Sequence, residues 1–275
     1  MREAAVPRFK LDENGSLIPD LRAAAAIIFN PVTNQILWQQ NANDTRSMAS
    51  ITKVMTALVY MESQPDLADQ ITVDRSDVKH ASTTYLRAGE RLSADELMHL
   101  LLIASDNAAA RALARSSSHG KDGFIDRMNA KAAELGLESM RFSDPSGLNP
   151  NNVATAVDIS KMIAVASTNP VISTIMQKPG YLVTTSRRVV RINNTNKLLG
   201  GELDIVGGKT GFIRSAGYCL ATLMKLPQGD PVAVVVLGAR SNAGRFMETK
   251  HLFNWFTDTA KDLFTGEATP AKPQE

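Results

Sequence analysis

Ser50 and Lys53 interrupt an otherwise apolar run, MASITKVMTALVYM over residues 48–61, three positions apart. On a helix, residues i and i+3 have Cβ atoms about 5–6 Å apart, so the lysine amine reaches the serine hydroxyl. A serine hydroxyl attacks a carbonyl poorly until a base takes its proton, and a lysine amine is such a base only when unprotonated. Its ordinary pKa near 10.4 must therefore fall, which burial among apolar neighbours or a second nearby cation brings about. The pair also fits a plain structural role: a serine cap at a helix start, and a lysine that snorkels to solvent.

Two further polar clusters stand in apolar settings. In LLIASDNAAA, Ser105, Asp106 and Asn107 lie between a continuous apolar run and a helix-favouring one, where short polar side chains commonly cap the next helix. In VGGKTGFI, Lys209, Thr210, Gly211 and Phe212 lie on a glycine-rich strand edge, and Gly207, Gly208 and Gly211 let a neighbour approach the backbone closely. Alone, that segment is only a turn signal.

The elements that must position these residues alternate from strand to helix and back. AAAAIIFN (23–30) and QILWQQN (35–41) flank a Pro-Val-Thr-Asn turn and predict a hairpin. From Ser50 onward, Ile51, Val54, Met55, Leu58 and Val59 recur at helical spacing. Ser93 and Glu96 have capping-box spacing, predicting a helix from about Ala94. Segments after Ser105, before Gly136 and behind Thr155 predict at least three more helices. Then YLVTTSRRVVRINN, YCLATLMKL and PVAVVVLGA return to β character, and FMETKHLFNWFTDTAKDLF predicts a closing amphipathic helix. The expected fold is α/β (α+β): one antiparallel sheet built from both termini and flanked by helices, with an inserted helical lobe over about 60–170. Residues 1–21 are expected as an N-terminal extension, 22–265 as a single catalytic domain with its site in a cleft beside the lobe, and 266–275 as a disordered tail.

Bulk properties exclude several classes. A 275-residue chain that is 44% hydrophobic and 21% charged buries an ordinary core. A formal net charge of +2 gives no field suited to nucleic acid or an anionic membrane, so no nucleic-acid partner and at most peripheral membrane contact are expected. Cys219 is the only cysteine, which leaves no internal disulfide, and it reads as a small buried apolar residue. His80, His99, His119 and His251 have no metal-ligand spacing, so neither metal nor cofactor is expected. No run approaches the roughly 18 apolar residues of a membrane span, and the charged start is not a signal peptide.

Taken together, Ser-x-x-Lys at 50–53, Ser-Asp-Asn at 105–107 and Lys-Thr-Gly at 209–211 form the triple that marks penicillin-binding proteins and class A β-lactamases. The chain resembles the low-molecular-mass penicillin-binding serine D-Ala-D-Ala peptidases from about residue 22 to 264. ASITKVMTALV, FSDPSGLNPNN and NNTNKLL look like further family segments. The short single-domain form and Phe212 look most like the D-alanyl-D-alanine endopeptidase branch, whereas many carboxypeptidase relatives have histidine at that place.

The resemblance implies a β-lactamase/transpeptidase-like fold, with Ser50 as nucleophile and Lys53 as its general base. Ser105 would relay a proton to the leaving amine, and Asn107 would hold the substrate amide and the lysine. Lys209 would keep Lys53 partly neutral and attract a substrate carboxylate that Thr210 binds. The backbone N–H groups of Ser50 and Phe212, with Gly211 beside them, would form the oxyanion hole. The implied partners are peptidoglycan stem peptides and cross-bridges, with β-lactam antibiotics as covalent inhibitors. Because no Glu-x-x-Leu-Asn segment is present, long-lived acylation is expected. The substrate implies an exported, periplasmic or extracytoplasmic location, the signal peptide being absent from the chain given. The alternatives are a D-Ala-D-Ala carboxypeptidase acting on pentapeptide stems and, in another class, a non-hydrolytic β-lactam or peptidoglycan-binding module. Arg187, Arg188, Arg191 and Lys197 read as a solvated strand face that could meet a glycan strand, and Arg240 and Arg245 as residues approaching the substrate carboxylate.

Overall fold

The computed structural model describes residues 7–227 and 229–265, so the tail 266–275 lies outside the described residues. A hairpin, β1 (Phe9–Leu11) and β2 (Leu17–Pro19), precedes the one expected around the Pro-Val-Thr-Asn turn, β3 (Ala25–Asn30) and β4 (Gln35–Gln40). The short β5 (Arg46–Ser47) leads into a 3-10 turn, Ala49–Ile51, which continues as α1 (Thr52–Glu62). The lobe then adds β6 (Gln70–Thr72), α2 (Arg75–Val78), β7 (Arg91–Ser93), α3 (Ala94–Leu102), α4 (Asn107–Ser116) and α5 (Gly120–Glu134). After β8 (Val153–Ala154) come α6 (Ala156–Thr168) and α7 (Pro170–Gln177). The chain ends with β9 (Gly180–Thr184), β10 (Val189–Asn193), β11 (Ile205–Ile213), β12 (Gly217–Lys225), β13 (Pro231–Ala239) and α8 (Asn242–Thr265).

Caps fix the helix starts. Ser93 accepts from the Glu96 N–H at 3.2 Å, and Thr155 accepts from the Asp158 N–H at 3.2 Å. Helix α7 is absent from the sequence-based expectation, although its signal is local: Asn169 caps it and Pro170 occupies its first position.

The five-stranded sheet has the order β11-β12-β13-β3-β4, antiparallel throughout, so strands from both ends of the chain lie side by side at its centre. Both faces are covered, which is why β13 is apolar at nearly every position. Ala233, Val235 and Leu237 enter the large core shared with α1 and α6, while Val232, Val234 and Val236 enter a second core with Leu252 and Phe253 of α8. Each such buried Val or Leu contributes about 1.5–3 kcal/mol of transfer free energy. The segment 180–193 does not join this sheet. It forms a separate antiparallel pair, β9 with β10, packed against α3. The β1–β2 hairpin rests on α8, where the Trp255 indole N–H donates to the Leu17 carbonyl at 3.0 Å.

Candidate active site

Ser50 lies in the 3-10 turn that opens α1 and makes no side-chain cap, while Lys53 is 0% exposed and does not snorkel. The amine reaches three oxygens: Ser50 Oγ at 3.0 Å, Asn107 Oδ1 at 2.6 Å and the Ser146 carbonyl at 2.5 Å. Asn107 Nδ2 donates to the Ala81 carbonyl at 2.7 Å, which fixes Oδ1 as the atom facing the lysine. Asn107 Oδ1 and the Ser146 carbonyl can only accept. A neutral amine has two N–H bonds and one lone pair, so donating to those two oxygens leaves the lone pair for the Ser50 hydroxyl. Burial lowers the Lys53 pKa to about 7; the Arg111 charge also lowers it, against opposition from Asp106 and Asp144. The pair is therefore built as a hydroxyl beside an available base.

The Ser105–Asn107 cluster divides its tasks. Asp106 caps α4, accepting from the Ala109 N–H at 2.9 Å and the Tyr85 N–H at 2.6 Å, and its burial raises its pKa. The cap expected of this cluster is thus Asp106 alone. Asn107 goes to Lys53, and the Ser105 hydroxyl accepts from Lys209 Nζ at 2.8 Å. Ser105 (φ 60°) and Ala49 (φ 48°), which precedes Ser50, are non-glycine residues in the left-handed region. Such conformations cost on the order of 1–3 kcal/mol each and persist where surrounding contacts enforce them.

Strand β11 closes the third side as the sheet edge. Lys209 is 1% exposed and also donates to the Thr210 carbonyl at 2.9 Å. Its own burial, then Lys53, then Arg245 hold its pKa well below the ordinary amine range. Burial comes first for both amines, and their mutual repulsion disfavours double protonation. Thr210 Oγ donates to Thr195 Oγ at 2.7 Å. At Gly211 the close neighbour is the turn that carries Ser50, since a Cβ there would stand 2.7 Å from the Met48 carbonyl and 3.1 Å from the Ser50 nitrogen. Arg245 donates to the Gly211 and Cys219 carbonyls at 3.0 and 3.2 Å, so the Gly211 carbonyl faces β12. In an antiparallel ladder successive residues alternate in direction, which turns the Phe212 N–H to the open edge beside Ser50. The Phe212 ring is 50% exposed and stacks on Tyr218 at 4.2 Å.

Serine with a buried lysine, Ser-Asp-Asn and Lys-Thr-Gly thus converge on one surface. A family model described as D-alanyl-D-alanine carboxypeptidase matches residues 12–241. The chain belongs to this family of serine hydrolases. It is similar to the D-alanyl-D-alanine endopeptidase of Escherichia coli, 31% identical over 86% of this chain and 78% of that one. The D-alanyl-D-alanine endopeptidase of Haemophilus influenzae is 32% identical over 89% and 86%. Among solved structures, a Streptomyces DD-transpeptidase superposes with a TM-score of 0.81 at 27% identity, over 86% of this chain and 97% of that one.

Several groups around this candidate site escape motif reading. The Ser146 carbonyl is held at Lys53 by a loop in which Asp144 accepts from the Gly147 and Asn149 N–H groups at 3.1 and 3.2 Å and from Asn152 Nδ2 at 2.9 Å. Gly147 (φ 84°) passes so close to the Ala49 carbonyl that no Cβ fits. FSDPSGLNPNN carries this loop and NNTNKLL carries Thr195, so the signal is in those segments, though a carbonyl's role has no signature. The arginines need correction. Arg245 is buried and spent on two strand carbonyls, and Arg240 lines a cavity with the β1–β2 hairpin and α8. Arg187 and Arg188 lie between β9 and β10, and Arg188 pairs at 2.8 Å with the fully buried Glu90 rather than joining a solvated face.

Proposed function

We propose that the protein is a serine D,D-peptidase of peptidoglycan that cleaves D-alanyl cross-links as an endopeptidase. The observation that carries this is the buried Lys53 amine, 3.0 Å from Ser50 Oγ and bonded to Asn107 Oδ1 and the Ser146 carbonyl, with burial lowering its pKa to about 7 so that its neutral form can turn a lone pair to Ser50. In this reading Lys53 takes the Ser50 proton as Oγ attacks the carbonyl of a D-alanine, and the Ser50 and Phe212 N–H groups hold the oxyanion. Ser105, bridged to Lys209, delivers a proton to the departing amine. Among the described residues Lys209 has no carboxylate partner; a substrate carboxylate would supply one, restore its proton and meet the Thr210 hydroxyl. Water then releases the acyl group from Ser50. A β-lactam would enter by the same attack and leave slowly, and the enzyme would act outside the cytoplasmic membrane, where peptidoglycan lies. No helix among the described residues is long and apolar enough to cross a membrane.

Carboxypeptidase-named relatives support trimming of terminal D-alanine as a second reading, for instance the Bacillus subtilis protein at 29% identity. Both reactions pass through the same acyl-enzyme. Intact-mass spectrometry after benzylpenicillin, with peptide mapping, tests the shared chemistry. A persistent adduct on Ser50 is expected; none, or one elsewhere, would end the proposal. Digestion of purified muropeptides then separates the two activities: loss of cross-linked dimers marks the endopeptidase, and loss of terminal alanine from monomers marks the carboxypeptidase.

A further inference from the structure

A cavity of about 470 Å³ opens in the helical lobe beside the base, and both of its walls nearest Lys53 belong to segments that hold that amine. One wall is α4, where Arg111 stands one turn after Asn107. The other is Asp144–Pro145, directly before the carbonyl of Ser146 that receives the amine. The carboxylates here are mostly engaged: Asp77 is taken by Arg115 at 2.8 and 3.2 Å, and Asp144 by its own loop. Two lining cations remain without a carboxylate. Arg111 uses one nitrogen on the Asp77 and Lys79 carbonyls, at 3.2 and 2.6 Å, and its other N–H donors are neither partnered nor fully buried. Lys121, at the start of α5, is exposed with its amine unpaired, while the exposed Asp122 is the nearby counter-charge. A half-buried guanidinium with free donors and an ammonium lining the same cavity suit a carboxylate-bearing ligand.

We propose that this cavity binds a small carboxylate-bearing ligand between Arg111 and Lys121, and that its occupation slows acylation of Ser50. The charges facing Lys53 are Arg111 and Asp106 from α4, Asp144 from the loop and Lys209 from β11. An anion on Arg111 cancels a cation that helps keep Lys53 unprotonated, leaving the acidic neighbours to draw a proton onto the base. Two sources share this chemistry: the free carboxylates of a peptide stem released by the enzyme itself, and a free small organic acid. The inference rests on Lys53 being the base, as proposed above.

The test follows benzylpenicillin acylation rate at pH 7 and pH 9 with citrate in one arm and muramyl tripeptide in the other, against chloride at equal ionic strength. Acylation without any probe is measured first, because its absence would sink the base assignment and not the cavity. At pH 7 one or both probes should slow acylation by about two- to fivefold. At pH 9, where Lys53 is unprotonated with or without the ligand, the effect should disappear. Arg111→Gln and Lys121→Gln should each weaken the response, and the exposed Lys121 position keeps the test valid if the Arg111 variant fails to fold. Slowing by the tripeptide alone would identify the peptide stem as the source; slowing by citrate as well would identify any small carboxylate. No slowing at pH 7, equal slowing at both pH values, or a response that survives both substitutions would overturn the proposal.

Discussion

Acylation should follow an acid limb with its midpoint near pH 7, because only unprotonated Lys53 can accept the Ser50 proton and its pKa stands at about 7. The unprotonated fraction is then roughly one in eleven at pH 6, one half at pH 7 and ten in eleven at pH 8. The rate should climb about tenfold between pH 6 and 8 and flatten above 8. A lysine of ordinary pKa gives a different curve, a rise of roughly a hundredfold over the same interval with no plateau. Single-turnover formation of a fluorescent penicillin adduct, at constant ionic strength, measures the curve directly. A hundredfold climb without a plateau through pH 9, or a flat profile, would refute the assignment of Lys53 as a base neutralised by burial. The same shift bears on folding. Between about 7 and the ordinary 10.5, the unfolded chain keeps a proton at Lys53 that the folded chain has shed. Unfolding therefore takes up a proton, and this group adds stability as pH rises through that window, by up to about 5 kcal/mol. Below pH 7 its full destabilising effect remains.

Ser50→Ala should abolish the adduct while the melting temperature moves little, since Ser50 forms no helix cap and loses one hydrogen bond worth about 1 kcal/mol. Calorimetry beside mass spectrometry checks both halves. Asn107→Asp places a carboxylate where Oδ1 now lies 2.6 Å from the amine, so the acid limb should move up by about one to three units and acylation at pH 7 should fall at least about fivefold. Gly211→Ala drives a methyl to within 2.7 Å of the Met48 carbonyl, which should displace the nucleophile's turn and slow acylation at all pH values, at a stability cost of about 1–3 kcal/mol measurable by denaturant titration. Glu90→Ala strips the partner of Arg188 and should lower stability by about 2–4 kcal/mol, less than for a fully buried pair because Arg188 is partly exposed.

Much of this architecture is legible in the chain because it rests on short-range patterns. Helical spacing after Ser50, the caps at Ser93 and Thr155 and the β-branched runs at 205–239 predict the elements, and strands at both ends predict a shared sheet. The residue types at 50–53, 105–107 and 209–212 point to the chemistry only as the family triple they form together, since a hydroxyl and an amine at i, i+3 alone fit a helix cap and a snorkelling lysine equally well. Tertiary structure alone decides how that chemistry is armed. Lys53 acquires its lowered pKa and its place in the proposed mechanism because segments 54 and 93 residues away supply its two acceptors and bury it. Arg245 turns from a candidate substrate ligand into a strand brace, and Arg188 from a solvated face into a clamp on Glu90, through partners 26 to 98 residues distant. Desolvation and contact with a particular carbonyl depend on which distant segments share a volume. Spacing along the chain reports only the neighbours that the local backbone period brings together.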